Sequence, residues 1–259
     1  MLDAIFEAGD GARRQGQEVI IPLMKATKNP RTLVCIGTGF FISTFGLFAT
    51  AAHVIRDVFN ANEERHPDLL TVHFVPPDRF VLCYVAHAAF HLRADVAIGM
   101  VRKLSRKSSN GQVQSKALTL TSQIPRANEV VHTWAYPKAV HRDVDENHKS
   151  IEIVPKLYEG HILQEHRDGR DRVILPDACY ETDLGIEGGA SGGPVFDSNG
   201  RVFAINSTGF DGTSTAFISH IQRIGGLPVG PIKLADGALA ETVRVSELIK
   251  MGHVIVRNG

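Results

Sequence analysis

Short apolar runs, and not long amphipathic helices, dominate the middle of this chain of 259 residues. They are rich in β-branched and aromatic residues and are separated by Gly, Pro, Asn and Asp, a pattern typical of strands joined by turns. The runs are residues 34–43, 70–75, 80–86, 96–101, 130–136, 151–158 and 202–207. Because many short strands follow one another without the periodic helices of a βαβ protein, the sequence predicts an all-β barrel or sandwich.

Helical patterns are confined to the two ends of the chain. We expect a short helix within residues 2–9 and a second one over residues 245–251, which Gly252 would end. The hydrophilic stretches 141–150 and 164–172 predict exposed loops between strands.

Composition and charge narrow the class of function. Lys and Arg number 28, as do Asp and Glu, and the basic residues are scattered, so neither a nucleic acid nor a membrane surface is expected as a partner. No apolar run is long enough to span a membrane, and Asp3, Glu7 and Asp10 lie where a secretory signal would need a basic and then an apolar region. We therefore expect a cytoplasmic protein with a protein or peptide as its partner.

The spacing of the cysteine and histidine residues does not indicate a metal site. Cys35, Cys83 and Cys179 are far apart and odd in number, which argues against a disulfide framework and against zinc. His87 and His91 precede Asp95 in a strand-like context, where a zinc site is disfavoured. We expect free thiols, no metal and no cofactor.

The most specific motif is G-G-A-S-G-G-P at residues 188–194. Its glycines permit a tight backbone around one serine. Acyl transfer needs such a loop, because the hydroxyl must project toward a scissile carbonyl while backbone N–H groups point at the developing oxyanion. By spacing, Ser191 would be the nucleophile, and Gly189 and Ser191 would form the oxyanion hole. Taken alone, the motif also suits a glycine-rich turn.

Two further motifs supply a base and a carboxylate. The motif T-A-A-H ends at His53 among small residues that allow close packing, as a base in the wall of a groove requires. Asp95 begins the apolar run D-V-A-I, where a carboxylate needs a partner. Taken alone, His53 could be a core histidine and Asp95 a strand cap. The order His53, Asp95, Ser191 is a known order for a catalytic triad, and the sequence predicts one here.

These motifs resemble those of the trypsin-like serine peptidases of the chymotrypsin fold, in particular the bacterial-type branch with the high-temperature-requirement and glutamyl-endopeptidase families. Residues 128–137 and 158–162 look like two further strands of that family. The resemblance implies an all-β fold of two six-stranded antiparallel barrels with the active site between them. With residues 102–115 as the polar connection, the expected parts are an N-terminal extension (1–30), a first barrel (31–110), a second barrel (111–224) and a C-terminal segment packed on the barrels (225–259).

The resemblance also implies a specificity pocket. Its expected lining is Gly185, Ile186, Asn206, Ser207, Thr208, Gly209 and Thr215. Gly185 stands where a trypsin has an acid and Asn206 near where glutamyl members have a histidine, so an uncharged substrate side chain is expected. Ala190 replaces the Asp that in secreted members pairs with a newly cleaved N-terminus, which argues against activation by trimming.

The expected function is that of a serine endopeptidase that acts through a Ser-His-Asp triad and an acyl-enzyme, as a selective regulatory protease. Two alternatives remain open. The fold could be a catalytically silent module that captures a peptide, or a peptidase that stays inactive until a partner protein orders its loops.

Overall fold

Two closed antiparallel barrels of six strands each make up most of the molecule, so the predicted fold class is confirmed. The computed structural model describes residues 5–9, 11–27, 32–56, 58–59, 68–77, 79–104, 113–143, 149–210, 212–233, 239–240 and 242–258. None of the helices in these ranges is long and apolar enough to span a membrane.

A strand, and not the expected helix, begins the described chain. β1 (Ile5–Glu7) pairs antiparallel with β2 (Arg13–Gln15), and the single turn α1 (Gly16–Val19) follows. The helix prediction for residues 2–9 is therefore wrong for residues 5–9, while residues 1–4 lie outside the described part. A tertiary contact decides the outcome: the ring of Phe6 stacks on Phe196 of the second barrel at a centroid distance of 3.9 Å, which outweighs weak helical periodicity.

The first barrel closes in the hydrogen-bonded order β3-β4-β5-β8-β7-β6. Its strands share buried apolar inner faces: β3 (Ile20–Ala26), β4 (Leu33–Phe41), β5 (Leu47–Thr50), β6 (Leu69–Val75), β7 (Arg79–Phe90) and β8 (Ala97–Lys103). A short helix, α2 (Ala52–Arg56), directly follows β5. Because β3 is part of the barrel, the barrel begins within the expected extension 1–30.

The second barrel closes in the order β10-β11-β14-β13-β12-β9. Its strands are β9 (Val130–Asp143), β10 (Lys149–His166), β11 (Cys179–Thr182), β12 (Pro194–Phe196), β13 (Val202–Gly209) and β14 (Ala216–His220). β9 and β10 pair along most of their length. Residues 141–143, 149–150 and 164–166, expected in loops, lie in these strands, and residues 144–148 are outside the described part.

The chain that follows β14, which includes the expected C-terminal segment 225–259, packs against the first barrel. It contains a 3₁₀ helix (Ile221–Gly226), β15 (Pro228–Val229) paired with β18 (Val243–Arg244), β16 (Ile232–Lys233) paired with β17 (Leu239–Ala240), and α3 (Val245–Lys250). The predicted C-terminal helix is confirmed, and Gly252 follows it with a φ of +75°. Val245 and Leu248 of α3 are buried in the same apolar cluster as the first barrel.

Strand β9 joins the two barrels by presenting different residues on its two faces. Val131 and Ala135 belong to the core of the second barrel, whereas Trp134 and Tyr136 are buried in the cluster of the first. The Tyr136 hydroxyl donates to the carbonyl of Ile20 at 3.2 Å. This alternation sets the position of the seam on which the candidate site lies.

Candidate active site

His53 and Asp95 form a two-point contact on the first barrel. His53 belongs to α2, and Asp95 lies in the loop between β7 and β8. The backbone N–H of His53 donates to Oδ1 of Asp95 at 2.9 Å, and Nδ1 of the ring lies 2.7 Å from Oδ2. The carboxylate therefore fixes both the backbone and the ring of the histidine, and the neutral ring carries its proton on Nδ1 with Nε2 free to accept.

The environment of Asp95 keeps it ionised. Burial acts to raise its pKa, but the hydrogen bond and charge of His53 and the hydroxyl of Ser207 outweigh burial, so the pKa lies below its ordinary value. The Asp95 side chain is 12% exposed and that of His53 is 51% exposed. A shielded carboxylate beside an accessible imidazole is the arrangement in which the acid orients a base that can reach a ligand.

Ser191 lies at the seam between the barrels, where its backbone joins the first barrel. Its carbonyl accepts from the N–H of Thr38 at 2.8 Å. The next residue, Gly192, has a φ of +84°, and a Cβ there would lie 2.1 Å from the carbonyl oxygen of Thr38 and 3.1 Å from the N–H nitrogen of Ala51. Only glycine allows this approach, which holds the Ser191 loop against the strand that leads into His53.

A tight turn precedes Ser191. The N–H of Ala190 donates to the carbonyl of Glu187 at 3.0 Å, and Gly189 has a φ of +92° while Gly188 has no positive φ. A closed turn with a positive φ only at its third residue is of type II. Within the described residues the N–H groups of Gly189 and Ser191 donate no hydrogen bond, so both are open donors.

Thr38 organises this turn, and the sequence motifs did not identify it. Its buried hydroxyl donates to the carbonyl of Gly189 at 2.9 Å and accepts from the N–H of Tyr136 at 3.0 Å. One side chain thus connects the Ser191 loop to both barrels. The available signal was a polar residue inside an apolar strand, in G-T-G at residues 37–39.

Of the seven residues expected to line a specificity pocket, four lie near one another, two direct their side chains elsewhere, and Thr208 lines the cleft beside His53. Gly185, Ile186, Gly209 and Thr215 lie near one another: a Cβ on Gly209 would approach Ile186 at 3.1 Å and the carbonyl of Thr215 at 3.5 Å, and the N–H of Gly185 donates to Ser214 at 2.8 Å. These four residues form one wall beside the Ser191 loop.

The side chains of Asn206 and Ser207 are directed elsewhere. Asn206 is fully buried, and its amide donates to Thr133 at 2.6 Å and to the carbonyl of Ala190 at 3.2 Å. The Ser207 hydroxyl donates to Oδ2 of Asp95. These side chains therefore support the Ser191 loop and Asp95 and do not line a pocket.

Comparison with known proteins identifies the family of the chain. Residues 37–205, more than half of the chain, match the family model of the trypsin-like peptidase domain. The chain belongs to this family. No curated protein matches it.

The solved structures to which this trypsin-like peptidase domain is similar include the active form of the Rv3671c protease from M. tuberculosis, at 18% identity and a TM-score of 0.50 over 80% of this chain and 78% of that one. The inactive form matches at 19% identity and a TM-score of 0.48, over 80% and 85% of the two chains. An inactive Ser-to-Ala mutant matches at 18% and 0.49, over 80% and 83%. At these identities the likeness concerns the fold.

A cleft of about 400 Å³ opens beside the histidine of this trypsin-like peptidase domain. His53, Asp95 and Thr208 line it together with two surface loops that carry exposed aliphatic residues. Leu92 is 97% exposed in one loop, and Val173 is 86% exposed in the other. Exposed apolar side chains grouped at a cleft mark a binding surface. A larger groove of about 1230 Å³ near His73 contains none of the three candidate catalytic residues.

The described residues contain no cluster of His, Cys, Asp and Glu that could hold a metal ion. The three cysteines are all free thiols. Burial raises the pKa of the Cys83 thiol to about 12 and that of Cys179 to about 11, so these thiols stay protonated and unreactive.

Proposed function

We propose that this chain is a serine endopeptidase in which Ser191, His53 and Asp95 act as the nucleophile, the base and the orienting acid. The observation that carries the proposal is the two-point contact of His53 with an ionised Asp95, at 2.9 and 2.7 Å. This contact leaves Nε2 as the acceptor for a hydroxyl proton. The Ser191 loop is held against the same segment of the first barrel.

The mechanism follows from these roles. His53 removes the proton of Ser191 as its oxygen attacks a peptide carbonyl, and the resulting oxyanion is held by the N–H groups of Gly189 and Ser191. His53 then returns the proton to the leaving amine, which breaks the peptide bond and forms an acyl-enzyme. Water that gives a proton to His53 releases the acid and restores the serine.

An extended peptide fits the cleft better than a compact ligand. β13 pairs with β12 only as far as Ile205 but with β14 as far as Gly209. Its last part, from Ser207 to Gly209, therefore has one side without a strand partner among the described residues. A substrate backbone can pair there as an added strand, with apolar side chains toward Leu92 and Val173. This arrangement supports an extended peptide substrate.

Labelling by a fluorophosphonate tests the proposal without knowledge of the natural substrate. The wild type is expected to form a serine–phosphorus bond with loss of fluoride, and Ser191→Ala is expected to give no adduct. Mass mapping of the labelled peptide identifies the nucleophile. An adduct that survives in Ser191→Ala removes Ser191 from this role, and an unreactive but folded wild type favours the silent peptide-binding module.

Selectivity and regulation are tested separately. Substrate preference is determined by mapping the sites that are cleaved in a whole proteome by the wild type but not by Ser191→Ala. Ala190, which is fully buried, offers no carboxylate to a new N-terminus, which supports activation by a partner protein over activation by trimming. Such a partner would raise the labelling rate when added. This partner and the cytoplasmic location stay predictions.

A further inference from the structure

The loop that delivers Asp95 is organised by a second histidine. It runs from His91 to Val96, and the N–H of His91 closes it by donating to the carbonyl of Val96 at 3.0 Å. Inside the loop, Nδ1 of His91 lies 3.2 Å from the N–H nitrogen of Arg93 and 2.8 Å from that of Ala94. Both N–H groups are donors, so Nδ1 must be the acceptor, and the imidazole must be neutral with its proton on Nε2.

This imidazole binds the backbone of the residue directly before Asp95, the proposed catalytic acid. Nδ1 of the imidazole accepts a hydrogen bond from the N–H of Ala94, which is buried and adjoins Asp95. Asp95 in turn makes three hydrogen bonds, two with His53 and one with Ser207. These bonds require the Asp95 backbone to hold a defined place, and displacements of about 1 Å in such sites cost about 10²-fold in rate.

The loop on the other side of the cleft is also held by one side-chain acceptor of two backbone N–H groups, but here the acceptor is a carboxylate. Oδ1 of Asp171 accepts from the N–H groups of Val173 at 2.8 Å and Ile174 at 2.6 Å. These backbone hydrogen bonds lower the pKa of Asp171, so its acceptor persists at any neutral or mildly acidic pH. An imidazole acceptor is lost on protonation, because Nδ1 then becomes a donor that faces two other donors.

We propose that His91 is a positioning residue, whose neutral imidazole holds the loop that presents Asp95 to His53 and whose protonation releases that loop. The catalytic part of this statement rests on the proposed peptidase function. The contacts within the loop do not depend on it.

The charges around His91 favour its neutral form. Burial lowers the pKa of His91, and the positive charge of Arg223 lowers it further, while the negative charge of Asp177 raises it. The pKa therefore lies below the ordinary value of 6.5. Asp177 and Arg223 pair with each other at 2.8 Å, which limits the net field of both. Arg93, on the loop itself, donates to the carbonyl of Pro176 at 2.6 Å and adds positive charge nearby.

The test compares two substitutions at His91 by the rate of fluorophosphonate labelling. His91→Leu removes the acceptor, and His91→Asn keeps a non-titrating acceptor on a short side chain. At about pH 7.5 we expect His91→Leu to label roughly tenfold more slowly or worse, while His91→Asn labels close to the wild type. His87→Leu makes the same change on neighbouring β7 and should have no effect.

The pH profile separates positioning from a merely structural role. Between about pH 7.5 and pH 5 the wild-type rate should fall, because protonated His91 releases its loop. The rate of His91→Asn should fall less steeply, since its amide acceptor does not titrate. If His91→Leu labels at the wild-type rate, or the profile of His91→Asn superimposes on that of the wild type, the proposal is overturned.

A measurement without activity keeps the two proposals apart. Imidazole nitrogen chemical shifts of the wild type at about pH 7.5 should show His91 with its proton on Nε2, and amide exchange at Arg93 and Ala94 should accelerate on acidification. A proton on Nδ1 overturns the proposal even if His91→Leu fails to fold. If the wild type is never labelled but this tautomer is present, only the peptidase function fails.

Discussion

Ser207 on the second barrel donates its hydroxyl to Oδ2 of Asp95 on the first barrel, at 2.5 Å. The same oxygen faces Nδ1 of His53. The acid of the candidate triad is therefore bound from both barrels at once. Any movement of the barrels relative to each other changes the hydrogen bonds of Asp95 and, through them, the base.

Ser207→Ala tests this link. The substitution removes one hydrogen bond to a charged acceptor, which is worth about 1.5–3 kcal/mol when buried, while the two contacts with His53 remain. We expect the labelling rate to fall by roughly threefold to tenfold. Ser219→Ala, a similar buried change on β14, should leave the rate unaltered. Equal losses in both variants would show that the effect is general destabilisation.

Asp95→Asn should change both activity and the pH dependence of stability. An amide in place of the carboxylate favours the wrong tautomer of His53, for which a loss of about 10⁴-fold is expected. The folded pKa of Asp95 is lowered from 3.8, so its stabilising effect is present above that pH and is lost as the pH falls through the folded value. The difference in unfolding free energy between the wild type and Asp95→Asn, measured in urea, should therefore shrink below about pH 4. A difference that grows on acidification would contradict the assignment.

Gly192→Ala tests the close approach of the Ser191 loop to the first barrel. A Cβ at this position meets the carbonyl oxygen of Thr38 at 2.1 Å and the backbone has a φ of +84°, so we expect a loss of about 1–3 kcal/mol in stability and labelling reduced by about 10²-fold. Gly188→Ala is the matched control, because a Cβ there has nothing within 4 Å. Near-normal labelling of Gly192→Ala would mean that the loop tolerates displacement.

Leu92→Asp and Val173→Asp test the cleft as a peptide-binding surface. Both side chains are exposed, so neither charge should affect folding. We expect kcat/KM for apolar peptides to fall roughly tenfold, whereas labelling by a small fluorophosphonate, which does not reach the loops, should be unchanged. Val154→Asp adds the same charge to an exposed position on β10 and serves as the control. Parallel loss of labelling would indicate damage to the triad instead of to binding.

Much of the site could be predicted from local sequence. The G-G-A-S-G-G-P motif encodes a backbone with positive φ values that few other residues adopt, and the structure shows them at Gly189 and Gly192. The pairing of His53 with Asp95 also follows from a polar residue at the start of an apolar strand, since a buried carboxylate requires a partner. The catalytic roles of these residues stay predictions until the labelling is done.

These local sequence patterns could not predict contacts between segments that are distant in the chain. Phe6 forms a strand because its ring meets Phe196, and no pattern within residues 2–9 contains that information. Trp134 and Tyr136 lie on a strand of the second barrel, but they are buried in the apolar cluster that contains the first barrel. Ser207 was assigned to substrate, yet its hydroxyl binds Asp95.

The sequence by itself determined the all-β class, the family and the three candidate catalytic residues, because each depends on backbone constraints or burial costs that act within a few residues. Only the tertiary structure decided how the barrels meet and which side chains support Asp95. Ser207 binds Asp95 from the other barrel. His91 binds the backbone of the loop that carries Asp95, and residue spacing alone does not reveal these hydrogen bonds. Such contacts arise when separate segments are packed together, and the energy of packing depends on partners that lie far apart in the chain.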